Sequence, residues 1–222
     1  MDGIRHYLLL AVLLSICMIH VSCERRYAVP EPIETVTWYP IIAGSVHNWE
    51  VMDTVFTETD TVVEYYFLRD SVRDAEGFSG EFEVYPVDVF RYSAFSDSIL
   101  VPIRRELRFR HSGYVGEQVG NIKVLVFPNI PIAGFTWNAL QLQSGMNEYR
   151  EVLRIDTTLG ACTSCAFVLL RNDNTAIEYR YGEDLYMRNV GLYQRWEKDM
   201  EYRFEGAVSV LVLGRSLRRI RI

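Results

Sequence analysis

Two hydrophobic patterns divide the chain. Tyr7 to Ile19 is an apolar run without a charged residue, whereas from Trp38 onward apolar and polar residues mostly alternate. In Val101 to Phe109, the side chains of Val101, Ile103, Leu107 and Phe109 fall on one face, interrupted by Arg105, and Arg104, Glu106 and Arg108 fall on the other. Because successive strand side chains point to opposite faces, this predicts a strand buried on its apolar face and exposed on its charged one. Comparable runs are Trp49 to Phe56, Val62 to Val72, Glu81 to Tyr92, Asn121 to Phe127, Tyr149 to Ile155, Phe167 to Leu170, Ala176 to Tyr181, Leu185 to Trp196 and Tyr202 to Leu213.

Asp74-Ala75-Glu76-Gly77 and Asn172-Asp173-Asn174 are the expected hairpin turns, since Gly, Asn and Asp tolerate left-handed backbone angles. Ile122 to Phe127 is apolar on both faces except at Lys123, which predicts the most central strand, ended by Pro128. Helical periodicity is weak throughout; Asn147 to Leu153 could form about two turns, so at most one short helix is expected after the signal. The fold class is all-β: an antiparallel meander whose twist curls it into an open half-barrel or a two-layer sandwich.

The early apolar run has about 13 residues, short of the ~18–20 that span a bilayer, and it follows Arg5 and closes at His20-Val21-Ser22-Cys23. That predicts an export signal over residues 1–22. Its shape resembles a bacterial lipoprotein signal, in which the cysteine, here Cys23, receives lipid, palmitate included, and becomes the mature N-terminus. Residues 23–37, with two prolines and no periodicity, read as lipidated cysteine and extended tether; 38–222 reads as one β domain. Aromatic residues at 13% reinforce the strand reading. A net charge of −6 and a pI near 5.3 argue against a general nucleic-acid binder.

Four ordered fragments carry a wider resemblance. Trp38-Tyr39-Pro40-Ile41-Ile42-Ala43-Gly44 with Trp49-Glu50-Val51-Met52-Asp53-Thr54 comes first, then Phe90-Arg91-Tyr92. Next is Asn121 with Leu125-Val126-Phe127-Pro128 and Gly134-Phe135-Thr136-Trp137-Asn138, and last Tyr186 with Val190-Gly191-Leu192. Together they resemble a group of Bacteroidota lipoproteins without assigned function. The resemblance implies a lipid-anchored, mainly antiparallel β domain in the cell envelope, on the outer membrane, and it brings no catalytic residues.

Cys162-Thr163-Ser164-Cys165 is the sharpest local motif. A redox Cys-x-x-Cys sits at a helix start, where the dipole lowers the thiol pKa; here an apolar run, Ala166 to Leu170, follows, which places the pair at the start of a strand. Three readings stay open: a structural disulfide, two reduced cysteines, or an exported thiol oxidoreductase. Metal binding would need two ligands besides the thiolates, and His47 and His111 stand at no motif spacing. Asp156-Thr157-Thr158 is similar to the Asp-Thr-Gly loop of aspartic proteases but lacks the glycine, and reads as a polar strand end. Asn172-Asp173-Asn174 with Glu178 has too few oxygen ligands for a calcium loop.

The arginine-rich end, Arg215 to Ile222, reads as a solvated or frayed terminal strand, or as a contact for anionic headgroups. Tyr65-Tyr66-Phe67 with Trp137 could line a cavity or simply fill the core. Hydrolase, zincin and nucleotide-binding motifs are absent. The expected function is therefore an exported, lipid-anchored, non-enzymatic binding or structural module. It needs no cofactor, and its partners are the membrane, through the lipid, and an unknown envelope protein or ligand. The alternatives are a carrier of an apolar ligand in the curled sheet and the thiol oxidoreductase.

Overall fold

Alternation is realised as strand over almost the whole domain. The computed structural model describes residues 37–79, 81–92, 102–159, 162–205 and 208–222, and among these no helix forms. The signal, Cys23 and residues 24–36 lie outside the described residues, as does Val101. The strands are β1 (Val46–Thr57), β2 (Thr61–Val72), β3 (Gly77–Ser79), β4 (Phe82–Tyr92), β5 (Arg104–His111), β6 (Tyr114–Val119) and β7 (Ile122–Pro128). They continue as β8 (Thr136–Asn138), β9 (Tyr149–Leu159), β10 (Cys162–Asn174), β11 (Glu178–Met187), β12 (Gly191–Glu205) and β13 (Val208–Arg221). All pair antiparallel in one sheet of order β7-β6-β5-β4-β2-β1-β13-β12-β11-β10-β9-β8, with β3 beside β4.

The two ends of that order are consecutive in the chain, and they meet. The Leu125 amide donates to the Ala139 carbonyl at 2.8 Å, and the Trp137 indole donates to the Leu125 carbonyl at 2.9 Å. The sheet is thus a nearly closed, barrel-like antiparallel meander, as right-handed twist over so many strands favours. β7, expected to be the most central strand, is instead an end strand of the ladder, paired only with β6. Its two-sided apolar pattern has another cause: the closing segment abuts its free edge, and Leu125, Val126 and Phe127 are all buried, with Phe135 and Leu142 packed on the same core.

Other expectations change for local reasons. Residues 74–76 make no hairpin; they interrupt one long extension in which β2 and then β3 both pair with β4, bridged by Arg73 N–H to Pro86 O at 2.8 Å and Glu76 N–H to Val84 O at 3.0 Å. Asn172 to Asn174 belong to β10, and the turn falls one step later, where Thr175 Oγ1 and amide both engage the Glu178 carbonyl. Tyr149 to Leu153 extends as β9 against β10. The run Leu185 to Trp196 is cut by a turn at 188–190 between β11 and β12.

The barrel is filled from one end by the chain that enters it. Trp38, Tyr39 and Ile41 are buried. Trp38 meets Phe127 at 6.3 Å between ring centroids, and Tyr39 meets Tyr186 at 5.8 Å. Thr37 is pinned to the β11–β12 turn, its carbonyl accepting from the Asn189 amide at 2.8 Å. Gly191 is needed beside this plug: its φ is +91°, and a Cβ there would lie 3.3 Å from Pro40 Cδ. Gly44 and Ser45 then pair with Val72, leading into β1.

Candidate functional site

β5 inverts the face predicted for it. Arg108 and Glu106 are buried inside the barrel, in register with Tyr85 and Val87, while Arg104 stays exposed. Phe109, on the opposite face, is buried under Phe82, ring centroids 5.2 Å apart and edge-on, in the space left by Gly116, where a Cβ would come within 2.1 Å of the ring. A barrel this wide has an interior that apolar side chains do not fill, so paired charges can occupy it.

Beneath the plug those charges form a layer. Arg108 Nη2 donates to Asp70 Oδ2 at 2.8 Å, and the Trp49 indole donates to the same oxygen at 2.9 Å. Arg108 Nη1 lies 3.2 Å from His47 Nδ1; since guanidinium only donates, Nδ1 accepts and the imidazole is neutral. Burial first, then Arg108 and Arg221, lower the His47 pKa to about 4. Tyr39 donates its hydroxyl proton to Glu117. Burial alone would raise Glu117, but Arg195, Arg108, Arg219 and the tyrosine hydroxyl outweigh it and hold the carboxyl at about 2. Glu106 is raised, by burial and by Glu117. On the β11–β12 side, Arg195 grips Asp184 bidentately at 2.7 and 2.7 Å, and the Tyr186 hydroxyl donates to Asp184 at 2.8 Å. Apart from Arg108 Nε, buried without a hydrogen bond and 3.9 Å from Glu117, the members of this layer pair mainly with one another, the arrangement of a structural polar core rather than of a poised acid or base.

The other end of the barrel is different. A cavity of about 310 Å³ opens there among β9 to β13, walled by Arg150, Arg171, Glu197, Arg215, Leu170 and Leu217, with Glu148 and Asp199 beside them. Arg150, nearly fully buried, gives Nε and Nη2 to Glu148 at 3.1 and 2.8 Å, and Arg171 shares that carboxylate at 3.2 Å. Arg215 grips Asp53 at 2.9 and 2.6 Å. Arg180 approaches Asp199 at 3.4 Å. Arg150 Nη1 is buried with no hydrogen-bond partner among the described residues.

The residues singled out from the sequence are scattered. Cys162 and Cys165 are bonded to each other, with Cα atoms 6.1 Å apart, and are fully buried with Phe167 and Leu185 on the face of β10 and β11 away from the interior. Ser164 between them takes φ +59°, letting β10 bulge against β9. His47 joins the polar layer, whereas His111 packs on Phe82 at 4.5 Å. Among the described residues no group of three or more His, Cys, Asp or Glu could hold a metal ion. Asp156 pairs with Arg188 at 2.6 Å. Tyr65 is exposed and Trp137 buried, so they share no cavity wall.

The C-terminal arginines are neither frayed nor a free basic patch. β13 lies inside the sheet between β1 and β12, with Arg215 on Asp53, Arg219 over the Trp49 ring at 4.9 Å and Arg221 donating to the Val190 carbonyl. Their acidic and aromatic partners lie far away in sequence. That is why composition alone read them as a solvated tail. The layer and the mouth went unnoticed in the sequence for the same reason: their charges occupy strand positions that alternation assigns to solvent. No known family model, curated protein or solved structure matches the chain.

Proposed function

We propose that the chain is an exported cell-envelope lipoprotein, anchored to the outer membrane through Cys23, whose β domain is a non-enzymatic module that binds a small polar solute in the open end of the barrel. The anchor rests on the signal that closes at Ser22-Cys23 and on the resemblance to the Bacteroidota lipoproteins. The binding role rests on one observation: one end is filled by residues 38–41, while the other keeps a cavity of about 310 Å³ with charged walls. Those walls argue against an apolar cargo. Two cysteines buried in a strand, with no helix terminus at hand, argue against thiol exchange.

The test has two readouts on protein purified from its own envelope. Mass spectrometry of the N-terminus should give a lipidated Cys23, and a free end at another residue overturns the anchor. Denaturing release of bound small molecules should yield a solute from the wild type that is lost in Leu217→Trp, which fills the cavity. A wild type that carries nothing, or the same solute in both proteins, overturns the binding role.

A further inference from the structure

The mouth is charged on both signs, and its pairings leave groups of both signs unspent. Glu148 is shared by Arg150 and Arg171, Asp53 takes both arms of Arg215, and Asp199 faces Arg180. On the cation side, Arg150 Nη1, on a side chain nine-tenths buried, has no acceptor; Arg180 Nε also lacks a hydrogen bond but faces Asp199, and Lys198, which also lines the mouth, lies over the Trp196 ring at 4.7 Å. A buried guanidinium N–H without a partner is destabilising, and a ligand oxygen would relieve it. What remains on the anion side is Glu197: among the described residues no cation comes within ion-pairing distance of it, the nearby Arg215 being committed to Asp53. Gly182, opposite Glu197 in register, presents no side chain to shield it.

A polyanion such as phosphate would meet Arg150 but also Glu148, Glu197 and Asp199. A simple cation would meet Arg150 and Arg171. One molecule carrying both charges satisfies the wall, and Leu170 and Leu217 supply an apolar surface for its remainder. We infer that the mouth binds a small zwitterion with an apolar side chain, its carboxylate on Arg150 and its ammonium on Glu197, as a free α-amino acid or the ends of a short peptide present them. This rests on the mouth being the binding site, and it adds the ligand class.

Calorimetry on the purified full-length protein tests it with L-leucine, the dipeptide Leu-Leu, 4-methylpentanoate, 3-methylbutylamine and inorganic phosphate. The expected result is binding of L-leucine or Leu-Leu, whichever fits separating the two sources, with each half-charged analogue at least tenfold weaker. Glu197→Gln should weaken the zwitterion on the order of tenfold and leave 4-methylpentanoate unchanged. Because Glu197 holds no ion pair, this variant should keep the wild-type melting transition; Arg150→Lys, which retains the charge but loses the fork, should weaken both carboxylates. Equal binding of leucine and its half-charged analogues, or an unchanged zwitterion in Glu197→Gln, overturns the inference. Binding of phosphate alone, blocked by Leu217→Trp, overturns the ligand class and leaves the mouth as the site. Binding of none of the probes, to a protein that also carries no solute, overturns both.

Discussion

The two ends of the barrel hold similar numbers of charges and use them differently. Under the plug, Arg108, Asp70 and His47 are shut from water and Glu117 nearly so, each held by partners on other strands. At the mouth, Arg171 and Arg215 leave 39% and 58% of their side chains exposed, and their pairs are bathed on one side. A buried pair fixes geometry at the risk of a large penalty if one partner is lost, whereas an exposed pair contributes little and can change partners. The filled end is therefore where the fold is specified, and the mouth is where a ligand can enter without dismantling it.

Breaking the filled end should have the largest effect. Arg108→Met leaves Asp70 and Glu117 buried without their shared cation, so it should cost about 3–5 kcal/mol in urea unfolding; a loss below about 1 kcal/mol would mean that the layer is wetter than its burial indicates. Tyr39→Phe removes only the hydroxyl that reaches Glu117 and should cost about 1–3 kcal/mol by the same measurement, with the plug otherwise intact.

A pH series sharpens the contrast. The unfolded chain protonates His47 near its ordinary 6.5, while burial, Arg108 and Arg221 hold the folded imidazole near 4. Between those values the unfolded state binds the extra proton, so this contribution to stability is complete above pH 6.5 and is lost as pH falls toward 4. His47→Asn, whose side-chain oxygen can still accept from Arg108, should flatten that slope; an identical slope in both proteins would assign it elsewhere. The smallest effect belongs to the mouth: Arg171→Ala, which leaves Glu148 still held by Arg150, should change stability by no more than about 1 kcal/mol, and less at high salt.

Much of the architecture was legible because alternation depends only on the pleat. β1, β2, β4 and β9 begin or end within a few residues of the periods read from the sequence. β6 was not legible: its middle position is Gly116, absent of side chain because Phe109 from β5 lies across it. The placement of β7 was misread because being apolar on both faces signals burial, not a central place in the ladder, and closure buries an end strand as well. The inverted face of β5 and the inward charges of β6, β11 and β12 were hidden more deeply. Arg108, Glu117, Asp184 and Arg195 sit at positions where period-2 logic expects solvent, and only partners 38 or more residues away, or across a neighbouring strand, make their burial tolerable. Arg150 and Glu197 carry no local signal either, since what distinguishes them is the partner each lacks.

The plug has a mechanical consequence. The strand-free segment that leaves the fold toward the N-terminus is the same one that puts Trp38, Tyr39 and Ile41 into its centre. A pull on the chain ahead of Thr37 therefore does not fray a surface strand. It draws first on the Thr37–Asn189 clasp and then on two aromatic rings, Trp38 packed on Phe127 and Tyr39 on Tyr186. Tension applied ahead of Thr37 and the integrity of the barrel's interior are thus coupled through Thr37, Trp38, Tyr39 and Ile41, so force on that end is read out by the core.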